Sequence, residues 1–371
     1  MPGPQAMSFF LAVVVALLAL GLIVLFAGAL LRALWHTERP FDERHSARTR
    51  DGWRLALYRY RGSERSHHPP VILCHGIAAN ARNLDLDDDH SLACHLRDTG
   101  RDVWVLELRG VGMSDSPSRR RNRRGGWSFD VHVREDLPAL LTAVGNLSGA
   151  STCDWVGYSM GGLIAYAGFG GETELPLTLR RLVTIGAPVV TRPRSARDHG
   201  IVGLLARLLR RTSTIRQRRL AAAAALLAPS LNRLVGGAIG VPGASSPLQV
   251  RRAMIEVVSN VSGGVVAQFR TWMDTGRFTS LDGLVDYAAG MEKINAPALV
   301  LGGNQDRVAP PGAVRRGFEL LGSEHKVLAV LGRDAGQETD YGHMDLAFGR
   351  HAPAEIYPQV SDFLNREDLP S

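Results

Sequence analysis

The chain predicts an α/β fold: a mostly parallel central sheet with helices on both faces and a helical insertion late in the sheet. Three observations carry this reading. Short apolar runs bounded by glycine or proline alternate with helical stretches, the pattern of strand–helix units that build a parallel sheet. One such run, Thr152–Tyr158, leads into Gly157-Tyr158-Ser159-Met160-Gly161 and then a small-residue helix. The alternation stops near residue 190 and resumes near 296. The expected divisions are an N-terminal segment over 1–36, a first part of the core over 37–190, a helical insertion over 191–295 and a second part of the core over 296–371.

In chain order, Ser8 to Leu31 carries no charge and is long enough to cross a bilayer. It lacks the basic n-region of a signal peptide, and its apolar run is longer than an h-region. The expectation is an uncleaved membrane-spanning helix, with a cleaved leader as the rival reading. Arg32, Arg39, Arg44, Arg48 and Arg50 follow it, with His36 and His45 among them. The positive-inside rule then puts the C-terminal side in the cytoplasm.

Asp51-Gly52 is a hairpin signal joining Arg44–Arg50 to the alternating run from Trp53 to Tyr60. Pro70-Val-Ile-Leu-Cys-His-Gly76 reads as a buried strand, Asp89–Asp98 as a helix closed by Gly100, and Asp102–Gly110 as the next strand. The acidic run Asp85–His90 lacks the glycine and distal Glu of a calcium loop and is expected to cap that helix. A helix over about 129–145, interrupted or bent at Pro138, precedes the serine strand, and Arg181–Pro188 follows as a strand. Beyond the insertion come Ala298–Gly303 as strand, Pro310–Leu321 as helix, His325–Gly332 as strand and a final helix near 354–364.

The bulk numbers exclude some functions. The net charge is +7, but nearly all the cations are arginine, with lysine only at Lys293 and Lys326. That is a compositional bias more than a binding surface, and no nucleic-acid recognition pattern accompanies it. Three cysteines, Cys74, Cys94 and Cys153, make no disulfide framework, and no Cys or His spacing suits a metal. No nucleic-acid partner, cofactor or metal is expected.

The chemistry concentrates around Ser159. A serine on a sharp strand-to-helix turn needs small neighbours, here Gly157 and Gly161, so that strand and helix can approach. The turn aims the first N–H groups of the helix at the hydroxyl. Such a nucleophile needs a base and an orienting carboxylate, both at strand ends, in the order serine, acid, histidine. Asp306 follows the strand Ala298–Gly303, and His343 lies in the loop after the strand ending at Leu331. Asp340 and Asp345 are rival acids, and Asp345 is alternatively a cap or an anchor for the histidine loop. Oxyanion donors fall on the N–H groups of Met160 and of Ile77, beside His75-Gly76. His75 is expected to make a structural hydrogen bond beneath that loop.

His75-Gly76, Arg109-Gly-x-Gly-x-Ser114, Gly157-x-Ser159-x-Gly161, Asp306 and His343 together resemble the α/β-hydrolase superfamily over about residues 45–365. Trp127-Ser-Phe-Asp130, Asp136-Leu-Pro-Ala139 and Tyr341-Gly-His-Met-Asp345 are similar to the acid-lipase and cholesteryl-esterase branch, which usually has Asn where this chain has Gly342. The Gly342-His343 pair is also similar to polyhydroxyalkanoate synthases, but those use cysteine where this chain has Ser159. The resemblance implies a serine hydrolase acting on lipid or other hydrophobic acyl esters, and the apolar N-terminal segment adds the membrane as its anchor, so the expected partners are that ester and the bilayer. Acyl transfer by the same three residues, and a non-catalytic membrane-bound binding protein on this fold, are the alternatives. Haloperoxidase-like and C–C hydrolase chemistry share the same residues. The basic run Arg119–Arg124 reads either as a contact for anionic head groups or as a solvated loop.

Overall fold

The computed structural model describes residues 4–62, 68–117, 126–189, 214–215, 217–225, 227, 230 and 240–369. The basic run Arg119–Arg124 and the stretch Ile201–Arg211 lie outside the described residues, as do most side chains before Gly21.

The uncharged N-terminal run forms helix α1 (Pro4–Trp35). Among the described residues no helix is long and apolar enough to cross a membrane. An antiparallel pair follows, β1 (Glu43–Arg48) and β2 (Arg54–Tyr60), turned at Gly52 with φ 86°. Next come β3 (Val71–Cys74), α2 (Leu92–Asp98), β4 (Val103–Glu107), α3 (Leu137–Ser148), β5 (Thr152–Tyr158), α4 (Met160–Ala167) and β6 (Thr178–Ile185). Between β6 and β9 the described elements are mostly helical: β7 (Thr214–Ile215), α5 (Arg218–Ala224), α6 (Pro247–Glu256), β8 (Val261–Ser262) and α7 (Gly263–Thr275). The last units are β9 (Ala298–Gly303), α8 (Pro311–Leu320), β10 (Lys326–Leu331) and α9 (Tyr357–Asn365).

The eight long strands lie in the order β1-β2-β4-β3-β5-β6-β9-β10. β2 alone runs antiparallel, to β1 and β4 on either side, and every other pairing in this sheet is parallel. Alternation along each strand divides the core between the two faces. Ile72 and Cys74 pack with Leu140, Leu163 and Val314 on one face. Val71 and Leu73 pack with Leu96, Val360 and Leu364 on the other. Because the inner strands are buried on both faces, they read in sequence as unbroken apolar runs.

Three expectations are corrected. The helix after the acidic run starts at Leu92 and is capped by the Ser91 hydroxyl, which accepts from the Cys94 N–H. The carboxylates instead tie distant segments: Asp85 accepts from Arg39 and Tyr60, and Asp87 pairs with Arg252. The helix around Phe129 is not broken at Pro138, which sits in the first turn of α3; it widens instead into a looser turn over His132–Asp136. There Asp136 is held by His132 Nδ1 and Arg109 Nε, each at 2.7 Å. The final helix is two, Ala352–Glu355 and α9.

Candidate active site

Ser159 follows β5 directly and has φ 53° and ψ −117°, a backbone conformation few L-residues adopt. The strain is held by contacts that exclude any side chain larger than hydrogen. A Cβ on Gly157 would lie 2.5 Å from the Gly161 carbonyl, and one on Gly161 would lie 2.2 Å from the Cys74 oxygen. The turn between β5 and α4 is therefore wedged against the end of β3.

Three parallel strands deliver the partners. His343 Nε2 stands 3.0 Å from Ser159 Oγ, and His343 Nδ1 stands 2.7 Å from Asp306 Oδ2. The other oxygen of Asp306 accepts from the N–H groups of Val308 and Ala309 at 2.8 and 2.7 Å, which fixes the carboxylate plane. All three side chains are buried. An acceptor carboxylate on Nδ1 selects the tautomer with Nδ1 protonated and leaves Nε2 free to take a proton from the serine. Asp340 is occupied elsewhere, accepting from Asn304 Nδ2 and the Arg333 N–H. Asp345 anchors the histidine loop through the Gly342 N–H at 2.9 Å.

The loop after β3 borders the same serine. The Gly76 N–H donates to Asn83 Oδ1, and a Cβ on Gly76 would lie 3.1 Å from Ser159 Cβ. His75 is buried beneath this loop. Its Nδ1 donates to the Gly76 carbonyl at 2.8 Å, and its Nε2 accepts from the Leu108 N–H at 3.3 Å. Burial lowers its pKa to about 4, so it stays neutral and holds one tautomer. Ile77 lines the cleft, and Met160 opens α4.

Some long-range contacts of the residues around the site carry no sequence signal. Tyr158 is buried beside the serine, and its hydroxyl donates to the His343 carbonyl at 2.7 Å. Asp345 also accepts from the Val241 N–H and the Ser245 hydroxyl, both at 2.7 Å, and burial pushes its carboxyl up. Asp130, from the Trp127–Asp130 motif, accepts from the Tyr287 hydroxyl and the Leu281 N–H, so that motif braces the segment between β6 and β9.

The cleft at Ser159 encloses about 520 Å³ and is lined mainly by apolar groups, among them Ile77, Leu220, Met254, Val257, Val308 and Phe348. Among the described residues no cluster of three or more His, Cys, Asp or Glu side chains is placed to hold a metal ion. An aliphatic chain could lie in the cleft with its carbonyl at the serine.

The family described as alpha/beta hydrolase fold matches residues 69–336, and the chain belongs to it. It is a lipase-like member. It is 24% identical to mouse lipase member M over 363 residues, which span 90% of this chain and 84% of that protein. It is 30% identical to the lysosomal acid lipase/cholesteryl ester hydrolase of Macaca fascicularis over 159 residues, spanning about two-fifths of either protein. The fold is shared with a solved esterase from Exiguobacterium antarcticum at TM-score 0.58 and 19% identity, covering 86% of this chain and 99% of that one.

Proposed function

We propose that this chain hydrolyses carboxylic esters of hydrophobic acyl groups, lipids among them, through a Ser159–His343–Asp306 triad and an acyl-enzyme. The observation that carries this reading is the buried hydrogen-bonded line from Ser159 Oγ through His343 to Asp306, opening onto an apolar cleft.

His343 Nε2 takes the proton of Ser159 as Oγ bonds to the ester carbonyl carbon. The tetrahedral oxyanion accepts from the N–H groups of Ile77 and Met160. Asp306 holds the imidazolium and stabilises its charge without taking its proton. His343 then gives that proton to the departing alcohol, leaving the acyl group on Ser159. Water, deprotonated by His343, attacks the acyl carbon, and collapse returns the acid and the free serine. An alcohol in place of water makes the same site an acyltransferase.

The segment 191–295 serves as a cap over the acyl cleft, between core parts 37–190 and 296–371. The segment 1–36, most of whose side chains before Gly21 lie outside the described residues, serves as a single-pass anchor with the hydrolase domain on the cytoplasmic side, in accord with the arginines after Leu31. Proteolysis of sealed vesicles tests the orientation: a domain protected in inside-out vesicles overturns it.

Labelling with a fluorophosphonate tests the chemistry. Wild-type protein in detergent is expected to label, and Ser159→Ala to be silent. A folded wild type that does not label overturns the hydrolase reading and favours a binding protein on the same fold.

A further inference from the structure

Helix α5 is a wall one helix thick, and its two sides face different parts of the molecule. Leu220, Ala221 and Ala224 line the cleft at Ser159. Ala222 is buried on another side, and Ala225 just beyond the helix lies buried with it, both against Leu31 and Trp35 of α1. At about 100° per residue, positions 220, 224 and 221 span one arc of the helix, 225 adjoins it, and 222 lies about 100° beyond 221. The two helices approach closely at Gly28, where a Cβ would lie 2.2 Å from the Arg219 carbonyl oxygen and 3.1 Å from the Ala223 nitrogen. The end of α1 is fastened to the neighbouring wall as well. Arg32 donates to the Ile255 carbonyl of α6, and His36 Nδ1 lies 3.2 Å from Glu256 Oε2. Ala253 and Met254 of α6 line the same cleft.

We propose that α1 is the outer support of the acyl cleft and that Gly28 is a specificity-determining positioning residue for long acyl chains. The proposal rests on the hydrolase reading above, but not on whether α1 spans a membrane. Gly28 touches none of the reacting groups. It lets α1 approach closely enough to hold α5 over the cleft, as small residues do at helix crossings. A short acyl group reaches little beyond Ser159 and does not depend on this wall. A long one lies along it, and each methylene that loses its apolar contact lowers kcat/KM about fourfold.

The test compares p-nitrophenyl butyrate with p-nitrophenyl palmitate on the full chain in detergent micelles, with fluorophosphonate labelling of Ser159 followed in parallel. Gly28→Leu pushes α1 away from α5. The palmitate-to-butyrate ratio of kcat/KM is expected to fall at least tenfold, while labelling and butyrate turnover stay near wild type. Gly21→Leu, on the same helix but with nothing within 4 Å of the added Cβ, is expected to keep the wild-type ratio. Trp35→Ala loosens the same packing without a clash and serves if Gly28→Leu does not fold. Folded, labelled variants of both kinds with an unchanged ratio overturn the proposal, as does an equal loss on both esters. A wild type that fails to label overturns the hydrolase reading itself.

Discussion

The hydroxyl of Tyr158, the residue before the candidate nucleophile, donates to the backbone carbonyl of His343 across 2.7 Å. The two rings lie 5.1 Å apart between centroids. The strand that leads into Ser159 therefore also positions the loop that carries His343, so the 3.0 Å contact between them does not depend on the loop alone.

Tyr158→Phe removes this tether and leaves a buried carbonyl unpaired. It is expected to cost about 1–3 kcal/mol of stability and to lower kcat on the order of tenfold as His343 shifts. Thermal melting and ester hydrolysis on one preparation check both. A variant with wild-type melting and turnover removes the tether from the account.

Asp306→Asn tests the tautomer argument. The amide would face His343 Nδ1 with its NH₂ group or fail to hold it, so Nε2 no longer accepts the serine proton. A fall in kcat of about 10³–10⁴-fold is expected with KM little changed. A fall of less than tenfold would show that another group orients the base.

Gly161 and Gly312 make a matched pair. Gly161→Ala drives a methyl toward the Cys74 carbonyl at 2.2 Å in the middle of the sheet, with an expected loss of more than about 2 kcal/mol. Gly312 lies in the first turn of α8 with nothing within 4 Å of an added Cβ. Gly312→Ala is expected to be neutral or to stabilise by up to about 1 kcal/mol. Urea midpoints of the two variants give the comparison, and equal midpoints would contradict it.

The pH dependence of stability has a definite sign at His75. Its folded pKa of about 4 lies below the ordinary 6.5, so the unfolded chain takes up this proton first as pH falls. Stability from this site is complete above pH 6.5 and is lost between 6.5 and 4, on the order of 3 kcal/mol in all. His75→Asn keeps a donor toward the Gly76 carbonyl but cannot titrate. Its urea midpoint is expected to decline less than that of wild type between pH 7 and 4.5, and parallel declines would rule the effect out.

Much of the site was readable in one dimension because its parts sit at strand ends. In a parallel sheet every C-terminal end faces the same edge, so Ser159, Asp306 and His343 could be named from their places after three apolar runs. The glycines at 157 and 161 were readable for a similar reason, since backbone meets backbone there. Pro138 does not mark the irregularity in the helix around Phe129; that is a wide turn ending at Asp136, where Arg109 reaches in from the turn after β4. The acidic run looks in sequence like a local cap, whereas its carboxylates bind Arg39 and Arg252 from far along the chain.

The sequence by itself thus determined the fold class, the strand order of the chemistry and the candidate nucleophile, acid and base. Periodicity, turn residues and steric limits on glycine act within a few residues of one another, and they leave a local trace. Only the tertiary structure decided what surrounds them: Tyr158 on the His343 carbonyl, Asp345 on Val241 and Ser245, and Gly28 against Arg219. Those contacts join segments about 100 to 190 residues apart. They depend on which faces of packed elements meet, and no local pattern of residues encodes that.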